Sequence, residues 1–170
     1  MRVFIGVWPT EEVRTRIAAL GRPANPAVRW TAADNWHVTL RFLGEVDESE
    51  LAHATAALTT RLADETAPHV ELGPATRRLN QSVLIIPVRG LDALATAVIG
   101  STARIGQPPA PTFTGHLTIA RARGRGRIPA ELAGQAIAGA WTAREVAIIQ
   151  SHLNPQGARY ETLATVALPV

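Results

Sequence analysis

Two histidines stand at the start of the same short pattern in two parts of the chain. The pattern reads His-Val-Thr-Leu at 37–40 and His-Leu-Thr-Ile at 116–119. Because an imidazole titrates at about pH 6.5, one ring can accept a proton from water while another donates a proton to a leaving oxygen. The threonine hydroxyls can donate hydrogen bonds to the remaining oxygens of a phosphate. The paired pattern therefore predicts phosphoryl transfer, with His37 and His116 as the acid and base.

Each pattern also alternates polar and apolar residues, which is typical of a strand with one buried face. Successive side chains of a strand point to opposite faces, so His37, Thr39 and Arg41 are expected on one face and Phe42 on the core face. The second pattern alternates in the same way, so the two polar faces can meet across one cleft. Arg41 is thus a candidate substrate contact, and a solvated strand arginine is the alternative.

The composition favours one folded domain covering residues 1–170. Hydrophobic residues make up 46% of the chain and charged residues 18%, a balance that argues against global disorder and allows a core without disulfides. There is no cysteine, which excludes a thiolate nucleophile and any cysteine-containing metal site. None of the five histidines has zinc-motif spacing, so neither a metal nor another cofactor is expected.

Arginine supplies all of the positive side-chain charge. The chain has 17 basic residues, all of them arginine, and a net charge of +3. Arginine is the bidentate phosphate binder, although codon or thermal bias would give the same composition. Arg123, Arg125 and Arg127 alternate with small residues in one segment. This segment could follow an RNA backbone or could be an ordinary solvated loop.

Apolar runs alternate with helical patterns along the chain, which predicts a mixed α+β fold with a mostly antiparallel sheet. Helices are expected at 10–20, 47–62 and 91–105, with a short weak helix at 129–137. Strands are expected at 3–8, 36–43, 70–79, 82–88, 115–121, 143–153 and 160–168. The second helix has the clearest signal, because Asp47 and Glu50 form a capping-box pattern ahead of an apolar stripe.

The residues around both histidines resemble the signatures of a known group of enzymes. Segment 32–45 is similar to the first signature of the two-histidine phosphoesterase superfamily, in its RNA 2',3'-cyclic phosphodiesterase branch, historically called 2'-5' RNA ligase. Segment 113–121 is similar to the second signature. The hairpin at 151–163 and the opening strand at 4–7 match as well, so the resemblance runs nearly end to end.

This resemblance implies a bilobal α+β fold, with two mostly antiparallel sheets, outer helices and pseudo-twofold symmetry around a central cleft. The implied reaction is metal-independent hydrolysis of a terminal 2',3'-cyclic phosphate to a 2'-phosphomonoester. His37 would protonate the departing 3' oxygen, and His116 would activate water. Thr39 and Thr118 carry over as phosphate ligands.

Arg121 carries over from the resemblance as a positive group near the phosphate. By strand parity, however, it falls on the apolar face, so it must reach the cleft from the strand end or after a β-bulge. Tyr160 is a candidate for nucleobase stacking, and His152 a candidate substrate contact near the C-terminal hairpin. The family often has a proline shortly before the second histidine where this chain has Gly115, which predicts a more flexible approach.

Several functions share these residues. Ligation of 2'-5' RNA ends and opening of small cyclic phosphates, such as ADP-ribose 1'',2''-cyclic phosphate, use the same two histidines. A non-catalytic RNA-binding module would use the arginines alone. The expected partner is RNA or a nucleotide ending in a 2',3'-cyclic phosphate, with no obligate protein partner and a monomeric state. No signal-peptide or membrane-spanning pattern is seen, so a cytoplasmic location is expected.

Overall fold

Ten strands form one sheet in the computed structural model, which describes residues 1–170. All the strand pairs are antiparallel. The strands are β1 (Arg2–Val7), β2 (Val28–Trp30), β3 (Val38–Glu45), β4 (His69–Leu72), β5 (Arg77–Asn80), β6 (Val83–Arg89), β7 (His116–Ala122), β8 (Gly139–Thr142), β9 (Glu145–Asn154) and β10 (Gly157–Ala167). The predicted α+β class with a mostly antiparallel sheet is confirmed.

Three helices accompany the sheet: α1 (Glu11–Ala18), α2 (Glu48–Leu62) and α3 (Asp92–Ser101). The start of α2 has the predicted capping box. The Glu50 amide donates to the Asp47 carboxylate at 2.8 Å, and the Asp47 amide donates to the Glu50 carboxylate at 3.1 Å. These bonds satisfy amides that the first helical turn would otherwise leave unpaired.

The strand order is symmetrical about the middle of the sheet. It runs β10-β9-β1-β3-β7-β6-β4-β8, with β2 added beside β7 and β5 beside β6. The two histidine strands, β3 and β7, are therefore central neighbours. Each half has a helix between two adjacent strands of the sheet: α1, followed by the short β2, between β1 and β3, and α3 between β6 and β7. The halves were expected to be separate sheets, but one residue pair, Val38 with Leu117, joins them into a continuous sheet.

The alternation along β1 separates a helix-covered face from a cleft face. Val3, Ile5 and Val7 are at most 1% exposed and belong to a core of 36 buried residues that includes the apolar stripe of α2. Phe4 lies between them in sequence but packs in a separate small cluster with Ala147 and Ile149. The helices thus cover one face of the sheet and leave the opposite face available for a site.

Some predicted elements differ from the observed ones for local reasons. The strand expected at 70–79 is interrupted between β4 and β5 by Gly73, whose φ is +122°, a conformation that glycine adopts readily. The helix expected at 129–137 is only a 3₁₀ turn, Ala130–Leu132, followed by Gly134 at φ +89°. Strands β2 and β8 were not predicted, because three or four residues are too few to show a periodic pattern.

Candidate active site

An open cleft of about 460 Å³ lies over the centre of the sheet. Both histidine strands contribute to its floor, and the β9-β10 hairpin forms one wall. The lining residues are Arg2, Phe4, Thr31, Asn35, His37, Thr39, Phe42, His116, Thr118, Arg121, Ser151, Leu153, Ala158 and Tyr160. They include two arginines and two histidines but no carboxylate. The cleft is therefore suited to an anionic ligand.

The central pair of the sheet places four predicted residues together. Val38 and Leu117 are paired and fully buried. Extending their register by one residue in each direction sets His37 against Thr118 and Thr39 against His116. All four of these side chains point away from the core and line the cleft. Each histidine thus faces the threonine of the other strand.

Both imidazoles are oriented by the same local hydrogen bond. Nδ1 of His37 donates to the carbonyl of Asn35 at 2.7 Å, and Nδ1 of His116 donates to the carbonyl of Thr114 at 2.7 Å. A carbonyl can only accept, so in each neutral ring Nδ1 carries the hydrogen and Nε2 has the lone pair. Nε2 of His37 lies 3.1 Å from the Thr39 hydroxyl. In both rings Nε2 is therefore the atom available for proton exchange.

His37 is surrounded by aromatic rings on the cleft face. Its ring centroid lies 4.7 Å from that of Phe4, 5.8 Å from Trp8 and 5.1 Å from Tyr160. This burial is the main cause that lowers the pKa of His37 to about 4, with smaller contributions from His116 and Arg121, against the opposing effect of the Asn35 hydrogen bond. Without a ligand, His37 is therefore uncharged at neutral pH.

A β-bulge follows the threonine in each histidine strand. In β3 the register shifts so that Gly6 pairs with Thr39 but Ile5 pairs with Arg41, leaving Leu40 as the extra residue. In β7 the register shifts between Thr118 and Ala120, leaving Ile119 as the extra residue. An extra residue reverses the alternation beyond it, so both strands change faces at the same position of the pattern.

The bulge in β3 makes the prediction for Arg41 wrong. Arg41 is 3% exposed, and its guanidinium donates to the carbonyls of Phe42 at 2.7 Å, Ile105 at 3.2 Å and Gln107. It is a structural residue behind the cleft. Phe42, which was expected in the core, instead lines the cleft.

The bulge in β7 has the opposite consequence for Arg121. Ala120 is fully buried, and Arg121 lines the cleft together with the two histidines. Strand parity alone would place Arg121 on the apolar face, and the β-bulge is what turns it toward the cleft. Phe42 and Arg121 thus occupy equivalent positions in the two halves of the molecule.

Tyr160 and His152 lie on the same hairpin but are placed differently. Tyr160 lines the cleft, and its ring stands edge-on to His37 and to Phe4, each with centroids 5.1 Å apart. Burial raises the pKa of its hydroxyl. His152 was predicted as a substrate contact, but it points away from the cleft and bonds Glu161 at 3.1 Å. Its neighbours Ser151 and Leu153 line the cleft, as strand alternation requires.

Asn35 and Arg2 are among the cleft residues that sequence reasoning did not find. Asn35 holds the His37 ring through its carbonyl, and its side-chain amide donates to the Ala158 carbonyl at 2.7 Å. Arg2 lies with its guanidinium carbon 4.7 Å from the centroid of Phe42, a cation–π arrangement. The alternation of Arg2 with the buried Val3 was a signal for its position on the cleft face.

The approach to His116 is fixed by backbone contact rather than loosened by glycine. A Cβ on Gly115 would lie 2.3 Å from the carbonyl oxygen of Val88. The Val88 amide donates to the Gly115 carbonyl at 3.0 Å. Glycine therefore permits close packing of the chain there, and the prediction of a flexible approach is wrong.

No group of three or more His, Cys, Asp or Glu side chains is placed to hold a metal ion. The exposed arginine loop at 123–127 follows β7 and does not line the cleft; its Arg123 donates from Nε to the Val28 carbonyl at 3.4 Å. No helix has both the length and the apolar character needed to cross a bilayer.

Two histidine–threonine strands lie side by side at the centre of a symmetrical antiparallel sheet, which is the arrangement that the resemblance to two-histidine phosphoesterases implied. Residues 7–74 match the family model described as LigT-like phosphoesterase. An RNA 2',3'-cyclic phosphodiesterase from Archaeoglobus fulgidus is 26% identical over 176 residues, covering 96% of this chain and 98% of that protein. The chain is thus similar to LigT-like phosphoesterases, through the family model in its N-terminal part and through this relative and Escherichia coli LigT over nearly its whole length.

Solved structures agree over the whole chain. TT0787 of Thermus thermophilus superposes with a TM-score of 0.79 at 26% identity, covering 99% of this chain and 98% of that one. Escherichia coli LigT complexed with 3'-AMP superposes with a TM-score of 0.72 at 26% identity and the same coverage. This chain therefore shares the fold of these two structures from end to end.

Proposed function

We propose that this protein hydrolyses RNA 2',3'-cyclic phosphate ends to 2'-phosphomonoesters, using His37 and His116 for proton transfer. The observation that carries the proposal is the pair of imidazoles, each fixed through Nδ1 by a backbone carbonyl and presenting Nε2 for proton exchange, in a cleft without carboxylates. The A. fulgidus relative is named for this activity. The E. coli relative was solved with 3'-AMP, which supports a nucleotide in the corresponding cleft.

In the proposed reaction, the phosphorus lies between the two Nε2 atoms. Water attacks on the side opposite the 3' oxygen; a new phosphorus–oxygen bond forms and the bond to the 3' oxygen breaks. The base imidazole takes a proton from the water, and the acid imidazole gives a proton to the 3' oxygen. The product keeps its phosphate on the 2' oxygen. Each proton transfer is typically worth about 10²–10⁴-fold in rate.

The groups around the phosphate stabilise the charge that develops in the transition state. Thr39 and Thr118 lie on the cleft face beside the histidines, where their hydroxyls can donate to the non-bridging oxygens. Arg121 adds a positive charge from the end of β7. Fixed donors of this kind need no reorganisation during the reaction, which makes them more effective than water.

The resemblance to the family gives His37 the acid role. With a pKa of about 4 in the empty cleft, lowered mainly by burial, His37 must gain its proton when the anionic substrate binds, because a bound negative charge favours the protonated ring. A cyclic phosphate with sulfur in place of the 3' oxygen tests the assignment, since a thiolate leaves without an acid. Activity should be recovered in His37→Ala but not in His116→Ala. The reverse pattern would exchange the two roles.

The central experiment uses EDTA-treated protein with a 2',3'-cyclic-phosphate oligonucleotide and the matching mononucleotide, resolving 2'- from 3'-phosphate products. Wild type should give the 2'-phosphate, and neither His37→Ala nor His116→Ala should do so. Loss of wild-type activity in EDTA would contradict the metal-independent mechanism. RNA binding without turnover would favour the binding module, and joining of 2'-5' ends would favour ligation.

A further inference from the structure

A second recess opens from the cleft at the end of β7. It has a volume of about 240 Å³. Five residues line both the recess and the cleft: Thr31, Asn35, Arg121, Ala158 and Tyr160. Arg29 lines the recess but not the cleft. The recess is therefore an extension of the proposed catalytic cleft, with Arg121 at the boundary between the two.

Two arginines stand directly opposite each other in this recess. Arg29 on β2 is the register partner of Arg121 on β7, and side chains in such positions lie on the same face of the sheet. Like charges placed directly opposite on antiparallel strands are unfavourable. An anion bound between them would remove that repulsion.

Neither arginine has an internal partner that offsets its charge. No carboxylate lies within ion-pairing distance of Arg29 or Arg121, and neither guanidinium donates a hydrogen bond within the protein. No Asp or Glu lines the recess. By contrast, Arg14, Arg16, Arg61 and Arg89 all have carboxylate partners. The opposed pair thus has free donors of the kind that bind phosphate in bidentate fashion.

The backbone fixes this pair in position. The Thr31 amide donates to the carbonyl of Ile119 at 2.9 Å, which ties β2 to the bulged residue that turns Arg121 toward the cleft. The ladder continues through Arg29 to Val28, which pairs with Ala122. The bulge therefore sets the direction of Arg121, and the ladder sets Arg29 beside it.

From this juxtaposition we infer that Arg29 and Arg121 form a second anion subsite, which holds the phosphodiester on the 5' side of the terminal nucleotide. The inference rests on the proposed function and names its substrate class as oligonucleotide ends in preference to mononucleosides. The 5' phosphate is one ribose away from the 2',3'-cyclic phosphate, just as the recess adjoins the cleft at Arg121. Beyond it, the exposed Arg123 continues the positive surface along the chain.

The test compares three substrates: a nucleoside 2',3'-cyclic phosphate, the same compound with a 5' phosphate, and a trinucleotide ending in the cyclic phosphate. Wild type should have a higher kcat/KM for the second and third than for the first. Arg29→Gln should reduce that preference about tenfold, as expected for loss of a charge-assisted hydrogen bond. If wild type prefers the nucleotide with a 5' phosphate over the nucleoside, the 5' phosphate itself is the ligand. If wild type prefers only the trinucleotide, the contact lies further along the RNA, which overturns the assignment.

Arg61→Gln is the matched control, because it removes one exposed arginine from α2, on the other face of the sheet. It should leave the preference unchanged. The same loss in Arg61→Gln, or an unaltered preference in Arg29→Gln, would overturn the inference while leaving the proposed function standing.

Binding provides a readout that does not depend on turnover. A trinucleotide with a 3' phosphate should bind Arg29→Gln about tenfold more weakly than wild type, with the salt dependence of log K reduced by about one. Equal affinities and equal salt slopes would overturn the subsite even if no cyclic phosphate is hydrolysed. Thermal melting of each variant confirms that it is folded.

Discussion

The two halves of the molecule share one backbone design but surround it differently. Each has a histidine held through Nδ1 by the carbonyl two residues earlier, a threonine on the same face and a bulge immediately afterwards. His37, however, lies among three aromatic rings, and His116 forms none of these ring pairs. The backbone fixes where the imidazoles stand, and the side chains around His37 lower its affinity for a proton.

The two positions that follow each bulge also share a backbone arrangement but carry different side chains. The buried position is Arg41 in one half and Ala120 in the other, and the cleft position is Phe42 or Arg121. One half supplies its cleft charge from β7 itself, whereas in the other half Arg2 reaches over Phe42 from β1. Equivalent backbone positions therefore carry different chemistry, and substitutions at paired positions should have unequal effects.

The largest effect is expected from the histidines. His37→Ala and His116→Ala should each lower kcat by about 10²–10⁴-fold, since each removes one proton transfer. The double variant should be little worse than either single variant, because the pair acts as a unit. Single-turnover rates, with circular dichroism as the folding control, measure this. Losses that multiply in the double variant would show that the two halves act independently.

Substitution of Arg41 should affect stability rather than catalysis. Arg41→Met keeps much of the side-chain volume but leaves the carbonyls of Phe42, Ile105 and Gln107 without their donor. The free energy of unfolding should fall by about 2–4 kcal/mol, measured by urea denaturation. Ala120→Ser changes the equivalent buried position of the other half, and its free energy of unfolding is the comparison. A large loss of kcat/KM at unchanged stability would instead return Arg41 to the site.

Substitutions of Arg121 and Phe42, the equivalent cleft positions of the two halves, should lower kcat/KM to different extents. Arg121→Gln should lower kcat/KM by about 10–100-fold, the cost of losing a charge-assisted contact to phosphate. Phe42→Leu should have a smaller effect, because it removes no charge from the cleft. Steady-state kinetics on one cyclic-phosphate substrate give both values. Equal losses would mean that Phe42, through Arg2, contributes as much as Arg121.

The pH dependence should show the asymmetry directly. The active pair holds a single proton, so kcat/KM should fall as the pH decreases through about 4, where His37 becomes protonated in the empty cleft. Because folding lowers this pKa from 6.5 to about 4, stability should also decrease as the pH falls across that interval. Tyr160→Ala, which opens the burial around His37, should move the acidic limb to higher pH. An unmoved limb would assign it to another group.

Sequence alternation predicted the face of each side chain correctly only as far as the bulges. His37, Thr39, His116 and Thr118 lie on the predicted face because strand parity holds from each histidine to its threonine. Beyond that, the register of a neighbouring strand decides the face, as when Gly6 pairs with Thr39 and Ile5 with Arg41. Such pairing is a long-range property, so local periodicity could not reveal that Arg41 is buried.

The helices and strands, too, were predictable where their signals are local in sequence and not where they depend on distant partners. Helix α2 was predictable because its cap and apolar stripe are local in sequence. The short strands β2 and β8 form only through partners distant in the chain, β7 and β4. Arg29 gains significance only through that pairing, since nothing in its immediate sequence connects it to Arg121.

The Val38–Leu117 pair acts as a common reference point for the catalytic groups. Both side chains are fully buried, and the residue on either side of each is a histidine or a threonine of the cleft. It is the one register pair between β3 and β7, so the distance across the centre of the cleft depends on it. A larger or smaller side chain at either position would therefore change the spacing between His37 and His116 from beneath, without touching any residue that lines the cleft.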